Sequence, residues 1–435
     1  MRTLALLCAL VLVGSASADE RGEIRKADGY YVENVEREVD TKEGGKLILD
    51  SDRGSIEIES WDKDVVHVLV EKRADVFTKE EASRLLADFE LDLTVNDGGK
   101  EIVLNGESGS RRRSNSLEVR FTVKVPMSYN VDVSTGGGSI EIDDLQGNVE
   151  AETSGGGIKV GQIKAGSVDI NTSGGGLTVK GVDGGNVRAE TAGGGIDIGD
   201  VTGDVDAETS GGGIRVGRVG GVLKAETAGG GISVKKGGKT SVVETSGGSI
   251  KVDAADGPIN ADTAGGSISI GPTKGSVQLE TSGGSIQVDK VDGEVHAETA
   301  GGSIQVSGAS GDIVLNTSGG SIQVKGAQGA VEAETAGGGI DVELLPGGGD
   351  RHCTLETAGG DINISLPGNM KATVDAELRI QTRDWSSKDY DIYSDFDLEI
   401  EKKEGREISA RGKINGGGNM VRLRTTNGDI RIEKH

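Results

Sequence analysis

Apolar and polar residues alternate in a short phrase that recurs between Thr135 and Ile364 and reads Glu-Thr-Ser/Ala-Gly-Gly-Gly/Ser-Ile-x-Val. Its threonines stand at 135, 153, 172, 191, 209, 227, 245, 263, 281, 299, 317, 335 and 357, so the usual step is 18 residues, twice 19 and once 22. Apolar residues fall four and two positions before nearly every threonine, as in Val168 and Ile170, Val187 and Ala189, or Val277 and Leu279. A spacing of two is strand spacing. By the same parity the threonine points inward and the Glu before it outward. Five and seven positions after the threonine come Ile158 and Val160, Ile196 and Ile198, Ile286 and Val288, a second short strand. A third apolar position, ten after the threonine, holds Leu145, Ile163, Val182 and Val201 but weakens to Ala255, Ala309 and Ala327. It reads as a corner or a very short third strand.

A fixed period of this size marks a solenoid in which each coil touches only its neighbours. The fold class expected is therefore all-β: a parallel β-solenoid, β-helix-like, with about 18 residues per coil. Right-handed crossover is the default. The unequal gaps between apolar positions do not suit the left-handed hexapeptide solenoid. The glycines between the strands, such as Gly155 and Gly156 or Gly301 and Gly302, are expected where the chain turns sharply and can take positive φ. One coil buries roughly five aliphatic side chains at about 1.5 to 3 kcal/mol each, while ordering its residues costs on the order of 1 to 2 kcal/mol per residue. A single coil is thus unstable and only a stack is ordered. At roughly 4.8 Å per rung the array predicts a rod on the order of 60 Å long.

The flanks differ from the array. Residues 1–18 read as a secretory signal peptide: Arg2, an apolar run from Leu4 to Val13, then Ala16-Ser17-Ala18 as the cleavage site. Residues 19–133 are expected to form an N-terminal β-rich cap, in which Ser51 to Ile58 already looks like a degenerate repeat. Thr78-Lys79-Glu80-Glu81 is a capping box, and Ala82, Leu85, Leu86 and Phe89 put apolar groups on one side of a single short helix. The array itself is assigned to 134–364. Residues 365–435 are expected to be a C-terminal β cap, with Trp385, Tyr390, Tyr393 and Phe396 as a hydrophobic plug over the last coil. From Val421 to Ile432 the repeat style returns.

Charge narrows the partners. The net charge is -24, which argues against nucleic acid, since phosphate binding needs a basic footprint. Arg111-Arg112-Arg113 is the one basic cluster and lies in a Gly/Ser-rich stretch that reads as a loop. The charge and glycine content would also suit disorder, but a disordered chain has no reason to keep Ile and Val in register. With the signal removed, Cys353 is the one cysteine, in an inward position where other coils place Val or Ile. That makes it a buried small hydrophobe. His67, His296, His352 and His435 show no metal-ligand spacing, and no segment after the signal could span a membrane.

Val125-Pro126-Met127-Ser128 leading into Val131, the many Thr-x-Gly-Gly-x-Ile copies, Gly416-Gly417-Gly418 and the closing Thr426-Asn427-Gly428-Asp429-Ile430 resemble the "putative adhesin" family of β-strand-repeat domains of unknown function. The resemblance covers roughly Leu47 to the end. It implies a fold and no chemistry.

The outward Glu row, from Glu152 through Glu356, is the strongest candidate surface. Neighbouring carboxylates about 4.8 Å apart repel by roughly 0.9 kcal/mol in water, which keeps such a rod soluble and could attract divalent cations weakly. Gly193-Gly194-Gly195-Ile196-Asp197 lacks the second half of a calcium-roll motif. An ice-binding threonine face is disfavoured because parity turns the threonines inward. No nucleophile, base and orienting group stand together, so no catalytic, cofactor or metal residue is assigned and no cofactor is expected. The function expected is an exported, non-enzymatic β-solenoid that binds or scaffolds at the cell envelope or surface, adhesion included, with an unidentified surface ligand, a glycan or an envelope protein, as partner. The alternatives are a soluble periplasmic interaction module that works through its end regions and a polysaccharide-active β-helix enzyme.

Overall fold

A computed structural model describes residues 22–109, 116–347, 351–381, 390–403 and 406–435. Residues 1–18, expected to be a signal peptide, Arg111 to Arg113 and Trp385 lie outside the described residues. The chain forms two compact units, Met1–Gly155 and Gly156–His435, and the fold is a parallel β-solenoid with one helix.

In the second unit the sequence alternation becomes burial alternation. Along Val168–Thr172, Val205–Thr209 and Val277–Thr281 the first, third and fifth residues are buried and the others face out. These strands pair in parallel with no shift of register: Thr172 lies opposite Thr191, Thr191 opposite Thr209, and the series continues through Thr281, Thr299, Thr317 and Thr335 to Thr357. The Ile-x-Val strands stack in the same way on a second sheet, Ile196 on Ile214 and Ile286 on Ile304. The third apolar position does not build a third sheet. In the strands Ile158–Lys164 and Leu177–Asp183 it continues the second strand, with Ile163 opposite Val182.

One carbonyl per coil explains the Thr-x-x-Gly of the repeat. The hydroxyl of Thr281 donates to the carbonyl of Gly266 in the preceding coil at 2.8 Å and accepts the amide of its own Gly284 at 3.3 Å. Thr209, Thr245 and Thr335 make the same bonds to Gly194, Gly230 and Gly320. A Cβ built on Gly284 would stand 2.1 Å from that carbonyl oxygen of Gly266. The glycines three after each threonine are therefore required by close approach of stacked backbones. Positive φ is not the reason: Gly175, Gly194, Gly284, Gly302 and their equivalents in this unit have φ outside the left-handed range, which corrects the expectation from sequence.

After Leu366 the chain leaves the repeat, runs antiparallel through Ala372–Arg379 and Glu407–Ile414, and returns. Val421 and Thr425 then stack on Cys353 and Thr357, and Ile430 on Ile362. The core of this segment is aliphatic, with Val374, Leu378, Ile408 and Ile414 buried. The aromatic plug does not form among the described residues: Tyr393 is half exposed against Arg431, and Tyr390 and Phe396 are half buried. Beside them Asp391 pairs with Lys402 at 2.8 Å and Asp395 accepts the Lys434 amide at 3.0 Å.

The first unit mixes parallel rungs with antiparallel hairpins. Ser51 lies opposite Thr135 and Ile56 opposite Ile140, so the degenerate repeat at 51–58 is a coil in register. Around it Tyr30–Asp40 pairs antiparallel with Val65–Ala74, and Phe89–Asn96 with Glu101–Ser108. Helix α1 (Lys79–Ala87) starts where predicted: the Thr78 side chain accepts the Glu81 amide, and Ala82 and Leu86 are buried. Below it Lys72 is buried, 3.3 Å from the Glu33 carboxylate, and donates to the carbonyls of Leu86 and Phe89. This buried pair ties the end of the helix to the sheet.

Candidate binding face

The face follows from the same alternation. Because Val, Ala and Thr of each Val-x-Ala-Glu-Thr strand point inward, the two remaining positions face out and the fourth projects the acid to solvent. Register pairs Glu190 with Glu208, then in turn Glu226, Glu244, Asp262, Glu280, Glu298, Asn316, Glu334 and Glu356. One column of acids, with neutral Asn316 as its single break from Glu190 to Glu356, runs along this unit.

Cations sit at both ends of the column and not along its middle. Arg188 binds Glu190 through its Nε at 2.8 Å, and Lys224 lies 3.1 Å from Glu226. The hydrogen bond to Glu190 raises the Arg188 pKa, and that to Glu226 raises the Lys224 pKa. Among the described residues Glu244, Asp262, Glu280 and Glu298 have no ion pair. At the far end Arg424 lies opposite Glu356, contacts Glu377 and reaches Asp375 at 3.3 Å. Sequence reading missed Arg424, because the strand that carries it stacks on Glu356 only after the long excursion from 367 to 418.

Two shallow grooves flank the column. One of about 300 Å³ is lined by Glu208, Glu226, Glu244 and Asp262 with their neighbouring Thr and Ser residues. Another of about 450 Å³ lies where Glu334 and Glu356 meet Glu377, Arg379 and Arg424. Among the described residues no three acidic, cysteine or histidine side chains converge to hold a metal ion. The histidines are scattered: His67 contacts Glu36 at 2.7 Å, His352 accepts the Met420 amide at 3.1 Å, and His435 meets Ser365 at 3.0 Å. Cys353 is buried as its position predicts, and burial pushes its thiol up to about 12. A thiol held protonated in this way is not a nucleophile. No helix among the described residues is long and apolar enough to cross a membrane.

Parallel coils in register, with an apolar interior and an outer column of acids broken only at Asn316 between Glu190 and Glu356, define a β-solenoid whose faces are repetitive. The chain belongs to the Toastrack DUF4097 family, whose model matches residues 45–265 and 235–433. This agrees with the resemblance carried by Val125 to Ser128 and the Thr-x-Gly-Gly-x-Ile copies. Among solved structures the chain is similar to a putative cell adhesion protein from Clostridium sporogenes, at 9% identity over 93% of this chain and 100% of that one, with a TM-score of 0.18. It is also similar to putative adhesins from Bacteroides fragilis (14% identity, 72% and 97% covered, TM-score 0.21) and Parabacteroides merdae (13%, 69% and 95%, TM-score 0.27). Scores this low support no inference about this chain. No curated protein matches it.

Proposed function

We propose that this protein is an exported, non-enzymatic binding and scaffolding protein of the cell envelope or surface, adhesion included, whose partner is an extended ligand such as a glycan or an envelope protein. The observation that carries the reading is repetition in register. Outward acids, interrupted once at Asn316, recur at the coil spacing from Glu190 to Glu356, which suits a partner that is itself long or repetitive and does not single out one reacting bond. The threonine and glycine of each coil are committed to stacking, which leaves the outer columns as the variable part of the repeat. Fractionation of cells that express the native chain, followed by protease shaving of intact cells, tests the location. Recovery in the envelope fraction with loss on shaving is expected; recovery in the cytoplasm contradicts it.

A second reading, a soluble periplasmic module that works through its end regions, is favoured by one observation. The strand Glu399–Lys403 is exposed along its length and pairs antiparallel with Glu407–Ile414. Release with the periplasmic fraction and resistance to shaving would select this alternative.

A further inference from the structure

On the second unit's other sheet the third apolar position changes character along the array. Val182, Val201 and Val219 give way to Gly237 and Ala255, and later to Ala309. Register keeps these residues stacked, Gly237 on Ala255 and Val291 on Ala309. Beside this column, from Ala255 past Thr273, Val291 and Ala309, lies a predominantly apolar trough of about 560 Å³ that ends at Leu345.

The trough is polarised. At one half stand Lys236, Lys274 and Lys290 against Asp256 and Asp292. Lys236 at 2.5 Å and Lys274 at 3.0 Å share the Asp256 carboxylate, and Asp292 accepts the Ser310 hydroxyl at 3.0 Å. Lys290 has no ion pair among the described residues, so this half carries surplus positive charge on a strongly acidic protein. The other half, from Ser307 to Leu345, is lined by no charged group.

Gly308 lies in that uncharged half and within the strand Ile304–Ala309. Its φ is ordinary, and a Cβ built there would meet no atom closer than 3.7 Å. Stacking does not demand this glycine, whereas it does demand Gly284 and Gly302. Gly308 lies beside the irregular rung between Val324 and Ala327, and the absence of its side chain leaves the trough open there.

We propose that the trough binds a single-chain amphiphile with an anionic head, the head at Lys290 and Lys274 and the alkyl tail along Ala309 to Leu345. From the coil of Val291 to that of Leu345 is three rungs, about 14 Å, within reach of a dodecyl chain. The lysines select against a cationic head, and the apolar floor selects against a bare anion.

The test is isothermal titration of the full mature chain with dodecanoate below its micelle concentration, beside dodecyltrimethylammonium and acetate. Saturable binding of dodecanoate alone is expected. Gly308→Val should fill the trough and weaken binding at least tenfold without lowering the unfolding midpoint, and Lys290→Glu should weaken it at least tenfold. Absence of dodecanoate binding, equal binding of the cationic amphiphile, or undiminished affinity in a folded Gly308→Val protein would each overturn the assignment.

Discussion

Gly284→Ala adds one methyl group to a turn in the middle of the array, and its cost follows from the stacking distance. The new Cβ would lie 2.1 Å from the Gly266 oxygen, 2.4 Å from its carbon and 2.6 Å from the Cα of Ser267. Real Cβ atoms do not approach within 3.0 Å, so the two coils must part locally by roughly 1 Å. That separation stretches the bond from Thr281 to Gly266 (2.8 Å), from the Ile268 amide to Ser285 (3.0 Å) and from the Ser282 amide to Thr263 (3.3 Å). At about 1 kcal/mol net per hydrogen bond, with packing lost beside them, the substitution should cost about 3 to 5 kcal/mol. Gly283→Ala is the control. Its Cβ would lie 3.1 Å from the Gly265 oxygen, a contact that a shift of a few tenths of an ångström relieves, and about 1 kcal/mol or less is expected. Urea unfolding of the two variants measures the difference. Near-equal stabilities would refute the close-approach account.

Other expectations follow from the same structure. Glu280 lies in register between Asp262 and Glu298, so Glu280→Gln should raise the unfolding midpoint by about 1 to 2 °C at low ionic strength and leave it unchanged in 1 M salt, where the Debye length is about 3 Å. Exchange of calcium for a chelator at constant ionic strength should leave the midpoint unmoved, and a calcium-dependent rise would show cation binding along the column. Cys353 should resist iodoacetamide at pH 8 in the native protein and react on unfolding. Its folded pKa of about 12 lies above the free-thiol value of 9.0, so its contribution to stability is intact below pH 9 and is lost as pH rises toward 12. A Cys353→Val variant, compared by denaturation across that window, should lack this component. Lys72→Met leaves Glu33 buried without its partner and should cost about 3 to 5 kcal/mol; adding Glu33→Gln should recover most of the loss in a double-mutant cycle.

Much of the fold was legible because the repeat states the same geometry many times. Inward Val, Ala and Thr, outward Glu and the Ile-x-Val strand all follow from parity, and each is found where parity puts it. The glycines were legible as turns but not for their cause, since a local rule offers positive φ while the governing contact is with Gly266 or its equivalent one coil away. Arg424 and the Lys72 to Glu33 pair were not legible for a related reason. Each depends on a pairing across a long excursion or an antiparallel hairpin, and no spacing in the chain announces it. The weakening of the third position to Ala255 and Ala309 was visible in sequence, but its meaning as a trough needed the neighbouring columns.

The column of acids offers the most direct test of the stacked register on which the account depends. Spin labels on cysteines replacing Glu208 and, in separate proteins, Glu244, Glu280, Glu298 or Glu334 probe pairs two, four, five and seven coils apart. Pulsed dipolar measurements of the longer pairs, with close pairs read from line broadening, should give separations that grow by about 4.8 Å per coil. Separations that fail to increase with coil number would contradict the solenoid and the binding face built on it.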